Sequence, residues 1–141
     1  MAMIVNGKDM VAGRLATQLA KAIIKGEEVT VVNAEELIIT GNKEDIMERY
    51  HERSMARVLS NPHYGPKYDR VPSKIYRRMV KGMLPDKSRT VERLIKFIKV
   101  YDKMPKELAS EKMTEFEGAK FNHKNKYMTL GEIATLLGGK W

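Results

Sequence analysis

Residues 3–32, MIVNGKDMVAGRLATQLAKAIIKGEEVTVV, decide the fold. Met3-Ile4-Val5 is an apolar run closed by the turn pair Asn6-Gly7, and it reads as a strand. Over 11–25 the apolar residues Val11, Leu15, Leu19, Ala22 and Ile23 recur at helical spacing, with Arg14, Gln18, Lys21 and Lys25 mostly on the opposite side. Gly26 ends that helix as a C-cap would. Val29-Thr30-Val31-Val32 is then β-branched and continuous, the mark of a buried strand. Strand, helix and strand in this order make a βαβ unit with parallel pairing and a right-handed crossover.

Working outward, Leu37-Ile38-Ile39 reads as a third short strand stopped by Thr40-Gly41-Asn42. A long helix is predicted over 43–59 with Asn42 as N-cap. Met47, Tyr50, Ser54 and Val58 share one of its faces, and Arg49, Arg53 and Arg57 form a stripe on another. That stripe either lies along a phosphate backbone or is a solvated face in which Glu48 and Glu52 supply ion pairs. Residues 60–72 are loop, because Asn61-Pro62, Gly65-Pro66 and Val71-Pro72 disfavour helix. A helix over 72–83 follows, with Ile75, Met79 and Met83 as its apolar stripe and Lys74, Arg77, Arg78 and Lys81 opposite. Another, over 88–97, buries Val91, Leu94 and Ile95 and shows Arg89, Arg93 and Lys96 outward; Lys99-Val100-Tyr101 is a fourth strand. Residues 104–126 are irregular, with a short helical piece over 106–113. Thr129-x-x-Glu132 is a capping box for a last helix that Gly138-Gly139 stops.

The chain has 141 residues, 26 Lys+Arg against 18 Asp+Glu, and a net charge of +8. One domain of this size buries a sufficient core without disulfides or metals. With no cysteine there is no disulfide framework, thiolate zinc site or thiol nucleophile. No apolar run is long enough to span a membrane, and the first ten residues lack the order of a signal peptide. The charge is unevenly placed: residues 1–48 carry a net −3, residues 49–103 a net +10, and residues 104–141 a net +1. Eight of nine arginines and five of six tyrosines lie in the middle segment. Arginine forks onto phosphate and stacks on bases, so this bias points to nucleic acid.

Catalytic chemistry has little to stand on. The turn Gly7-Lys8-Asp9-Met10-Val11-Ala12-Gly13 matches neither dinucleotide-binding nor P-loop patterns. His51, His63 and His123 are scattered without metal-ligand spacing, and paired carboxylates such as Glu35/Glu36 are adjacent and therefore diverge. The methionines Met47, Met79 and Met83 fall at apolar helical positions and read as core filler.

Three stretches then carry a resemblance: Asn61-Pro62-His63-Tyr64-Gly65-Pro66, Arg70-Val71-Pro72-Ser73-Lys74-Ile75, and Arg77-Arg78-Met79-Val80-Lys81-Gly82-Met83-Leu84-Pro85. Gly13-Arg14-Leu15-Ala16, Val31-Val32-Asn33-Ala34-Glu35 and Thr40-Gly41 precede them in order, and Leu94 through Lys99-Val100-Tyr101-Asp102 follows. Together, over residues 3–105, they resemble the L-thirteen family of large-subunit ribosomal proteins, in its archaeal and eukaryotic branch. Val91 and Lys103 stand where that family often has glycine.

The resemblance implies an α/β fold: a three-layer α/β/α domain with a small, mostly parallel sheet of about four strands, plus basic loop and C-terminal extensions. With no internal repeat and no low-complexity linker, one domain over 1–141 is the simplest organisation, with 104–141 as a C-terminal extension. The resemblance further implies a structural constituent of the large subunit, bound to large-subunit ribosomal RNA and neighbouring ribosomal proteins and acting in early subunit assembly. No enzymatic activity, cofactor, metal, membrane or small-molecule substrate is implied, and the location would be cytoplasmic and ribosome-bound.

The candidate RNA-binding residues centre on Lys67, Arg70, Lys74, Arg77, Arg78 and Lys81, with Lys87 and Arg89 next and with His63 and Tyr64 as stacking groups. Arg14, Arg49, Arg53 and Arg57 complete the set. Reversing Arg77 and Arg78 to Glu is expected to weaken RNA binding with little loss of fold. A basic DNA- or RNA-binding regulatory module outside the ribosome is the alternative, although no recognition helix or dimer face is visible.

Overall fold

Val29, Val31 and Val32 are buried beyond reach of water, and Thr30 nearly so, as a continuous β-branched run demands of a central strand. The computed structural model describes residues 2–85, 88–122 and 124–141. In it β2 (Glu28–Val32) lies between β1 (Ala2–Asn6) and β4 (Ile98–Val100), with both pairings parallel. Between β1 and β2 runs α1 (Ala12–Ile24), which buries seven residues, Leu15, Leu19 and Ile23 among them. The βαβ reading therefore holds to within a residue or two at each end.

Each face of this small sheet has its own set of side chains. Val5, Val29, Val31 and Ile98 join the main core. Ile4, Thr30 and Val32, at the alternating positions, are buried as well, so both faces are covered.

The third predicted strand, β3 (Ile38–Thr40), is not in this sheet. It pairs antiparallel with β5 (Tyr127–Thr129), a strand absent from the sequence reading. The sheet expected to hold about four strands is thus three parallel strands plus a separate two-stranded ribbon. β5 is three residues long and leads straight into a helix, too short for alternation to show.

Among the described residues four helices follow α1. α2 (Lys43–Met55) stops four residues short of the predicted end, because Ala56 is already extended. Asn42 occupies its N-cap position, but the Asn42 amide donates to the Asp45 carboxylate at 3.3 Å instead of accepting from the helix. α3 (Pro72–Lys81) starts at Pro72, as expected, and buries Ile75, Tyr76 and Val80; Met83, placed on its apolar stripe from sequence, is beyond the helix and exposed. α4 (Ser88–Leu94) passes into a 3-10 turn, Ile95–Phe97. α5 (Leu130–Leu136) carries the predicted capping box in full, with Thr129 accepting from the Glu132 amide and Glu132 accepting from the Thr129 amide. The helical piece expected over 106–113 reduces to one 3-10 turn, Lys106–Leu108.

Residues 104–141 are stitched into the body. The Thr114 amide donates to Ile4 at 2.7 Å and the Val11 amide to Ala119 at 2.8 Å. Leu130, Ile133 and Ala134 lie in the same core as α1 and α3. The Val11 amide stands at the head of α1, where a phosphate would meet that helix, and Ala119 already takes it.

Candidate nucleic-acid interface

Three pieces of chain meet at the basic face: α2, the loop over 56–71, and α3. α3 anchors it. Its first residue is Pro72, and the N-cap residue Val71 offers it no side-chain cap. Asp102, just past β4, supplies one from a distance. One carboxylate oxygen accepts from the Ser73 amide at 2.7 Å and the other from the Ser73 hydroxyl at 3.0 Å. An anion at a helix start satisfies a free amide and complements the helix dipole. Twenty-nine residues of chain separate these partners, so no local sequence signal marks the cap.

Burial of Ile75, Tyr76 and Val80 turns Lys74, Arg77, Arg78 and Lys81 outward, and all four are exposed. The two arginines are nevertheless held. Arg77 donates to the Ile95 carbonyl at 3.1 Å, tying α3 to the turn after α4. Arg78 donates to the Lys67 carbonyl at 2.9 Å, and its guanidinium lies 4.2 Å from the centre of the Tyr68 ring. Arg78 therefore fastens the loop back onto its own helix. The expectation that reversing this pair brings little loss of fold is revised by these bonds: both arginines are structural in part.

The loop is folded on itself. Asn61 accepts from the His63 amide at 3.1 Å and opens a 3-10 turn, Pro62–Tyr64. Gly65 lies so close to the Arg57 and Val58 backbone that a Cβ would come within 3.0 Å of the Val58 nitrogen. The turn holds His63 and Tyr64 edge to face, 5.9 Å apart. Tyr64 is 79% exposed and Leu59 84%. At the other end of the loop, Gly139 presses on the Arg70 carbonyl with no room for a Cβ, so the C-terminal segment packs against the Arg70 backbone.

α2 contributes Arg49 and Arg53, both exposed. Arg57 does not continue their stripe, since the helix ends at Met55 and Arg57 sits in the loop. The ion pairs with Glu48 and Glu52 are not formed: among the described residues the two ion pairs are Lys74–Asp69 and Lys120–Glu115. Arg53 instead stands 5.8 Å from the centre of the Tyr50 ring. Burial raises the Tyr50 hydroxyl above its ordinary pKa, against the pull of Arg53 and Arg49.

The remaining candidates are spread out. Arg89 is exposed on α4. Arg14 is exposed on α1, one turn before Thr17, whose hydroxyl reaches the Met83 sulfur at 3.5 Å just past α3. Lys87 lies outside the described residues, as does His123. Sequence reasoning missed three members: Tyr68, the ring under Arg78; Asp102, the distant cap; and the C-terminal glycines against Arg70. The tyrosine enrichment of the middle segment was the one available hint.

Chemically, the face combines planar cations, exposed rings and one weakly paired carboxylate. Among the described residues no group of three or more His, Asp or Glu could hold a metal, and no helix is long and apolar enough to cross a membrane.

Comparison with known proteins gives the chain's family. Residues 1–107 match the family described as Ribosomal protein L13. The chain is 41% identical to the large ribosomal subunit protein uL13 of Methanosphaera stadtmanae over 142 aligned positions, covering 100% of both chains. It is 37% identical to that of Methanocaldococcus jannaschii, covering 98% of each. It is 38% identical to that of Sulfurisphaera tokodaii, covering 96% of this chain and 94% of the relative.

Proposed function

The chain belongs to the ribosomal protein L13 family, and from that premise we propose that it is a structural constituent of the large ribosomal subunit. It binds large-subunit ribosomal RNA through the face built by α2, the loop over 56–71 and α3, and it supports early subunit assembly. Its role is architectural, not catalytic, and its place is on the ribosome in the cytoplasm, beside neighbouring ribosomal proteins.

One observation carries the RNA reading. Arg49, Arg53, Lys74, Arg77, Arg78 and Lys81 project from two helices on either side of a loop that exposes His63 and Tyr64. Cations at such density repel one another unless a polyanion neutralises them, and phosphates do so with release of counterions. Folded RNA offers phosphates, 2′-hydroxyls and unstacked bases. Lys67, Arg70, Arg57 and Arg89 extend the contact, with Arg14 and Lys87 at its margins. The solvated-surface alternative predicts local ion pairs, and those expected on α2 are not made.

The test is binding to large-subunit ribosomal RNA fragments against duplex DNA of equal length across a salt series. Preference for one fragment that persists near about 0.2 M salt is expected. Equal affinity for every polyanion, collapsing together as salt rises, would sink the proposal.

A further inference from the structure

Between α2 and α3 the basic face opens into a cleft of about 200 Å³. Its floor is apolar: Ile75 and Met79 of α3, with Leu137 from the end of α5. Its rim is not. Arg53 and Tyr50 stand on the α2 side, and Arg78 and Tyr68 on the other. Gly82, with no side chain, also lines it. Asp69 and Ser54 also line the cleft.

This set of groups selects its occupant. The volume falls below the roughly 300–1,000 Å³ of pockets that hold a whole small-molecule ligand. A single planar ring system is of the right size. The apolar floor repels a phosphate, and so does the half-exposed Asp69 carboxylate, whose only ion pair among the described residues is a long one of 3.9 Å to the more exposed Lys74. A ring carrying hydrogen-bond donors on its edge meets every demand. Its faces lie against the guanidinium groups and tyrosines, and its donors point to Asp69. The larger cleft beside Asn42 and Lys126, about 820 Å³, lacks this character; its one ring, Tyr127, is already packed on Phe121.

We propose that this cleft holds one unstacked RNA base, with guanine favoured because it offers two neighbouring donors to the Asp69 carboxylate. The proposal rests on the RNA-binding reading and gives it a specific point of recognition. Tyr50, Tyr68, Arg53 and Arg78 grip the base, and Asp69 reads its edge. The fastening of Arg78 to Lys67 preorganises the cleft before RNA arrives.

The experiment titrates the full chain with GMP, AMP, CMP, UMP and inorganic phosphate, each alone. Methyl and ring NMR signals of Met79 and Tyr68 report the cleft. GMP should shift both signals at concentrations where phosphate shifts neither, and should bind about tenfold more tightly than UMP. Asp69→Asn should abolish that preference while leaving the melting temperature unchanged. Met79→Trp, which fills the cleft, should remove the Tyr68 response to GMP. It should also weaken binding of the preferred ribosomal RNA fragment without changing the salt slope, since no phosphate contact is lost.

No shift with any nucleotide, or the same shift with phosphate, overturns the base pocket. If Met79→Trp fails to fold, Asp69→Asn decides alone: an unchanged GMP preference also overturns it. Loss of all fragment preference in the parent chain is a separate result, and strikes the RNA-binding reading instead.

Discussion

α2 and α3 present similar basic faces and are held in opposite ways. α2 spends thirteen residues to bury one side chain, Ile46. α3 buries four of ten, Pro72, Ile75, Tyr76 and Val80, and receives a cap from Asp102. Arg77 and Arg78 are bonded to backbone carbonyls, whereas Arg53 stands over the Tyr50 ring with no hydrogen bond among the described residues. Since each buried aliphatic side chain contributes roughly 1.5–3 kcal/mol, α3 belongs to the cooperative core and α2 leans on it. The lesson concerns arginine: the same residue type on an exposed helix face serves as a rivet on one helix and as a free hand on the other.

The sharpest way to break this contrast is one substitution made twice. Ile75→Ala should lower global stability by about 3 kcal/mol, as cavity-forming changes in cores do. Ile46→Ala removes the same atoms but releases α2 alone. Hydrogen exchange should then show α2 amides losing protection while β2 keeps its own. Equal global losses, with α2 and the sheet opening together, would mean that the two helices are one unit.

Charge reversal comes next. Arg77→Glu with Arg78→Glu should cost about 2 kcal/mol, roughly 1 for each surface hydrogen bond lost, and weaken RNA binding as well. Arg49→Glu with Arg53→Glu should weaken RNA binding with thermal stability unchanged, and lower the salt slope by about one unit per phosphate contact removed. Matching stability losses in the two double variants would contradict the division into held and free arginines.

How much of this was readable in the sequence follows from the range of each interaction. The βαβ unit was legible because α1 is long enough to display its period and β2 is an unbroken β-branched run, and the capping box because Thr129 and Glu132 are three residues apart. The outward face of α3 was legible for the same reason. What stayed hidden is long-range or very short: β5, too brief to alternate; Asp102 on Ser73, from the far side of β4; Arg78 on the Lys67 carbonyl, which depends on how the loop returns. The end of α2 was misplaced because residues 56–59 carry no breaker, although nothing buries them there either.

A smaller effect tests the cap that distinguishes α3. Asp102→Ala removes both oxygens from Ser73 and should cost about 1.5 kcal/mol. α2 makes no side-chain cap bond at Asn42, so Asn42→Ala should cost only a few tenths by comparison. The pair is read by urea midpoints at constant slope.

The smallest change is a gain. Tyr76 is fully buried on α3, and its hydroxyl has no hydrogen-bond partner among the described residues. Burial drives its pKa well above the ordinary 10.0. Tyr76→Phe keeps the ring and removes a dehydrated hydroxyl, so it should stabilise the protein by about 1 kcal/mol at neutral pH. The pH dependence follows from the sign of the shift. Below pH 10.0 both folded and unfolded chains hold the Tyr76 proton, and the group adds no slope. Above it the unfolded chain releases the proton while the buried hydroxyl keeps it, so stability falls by up to about 1.4 kcal/mol per pH unit. The Phe variant lacks that share of the alkaline loss, and its advantage over the parent chain should widen between pH 10 and 11. A constant gap across that interval would mean that Tyr76 already meets water in the folded state, and α3 would then be less firmly seated than its four buried side chains require.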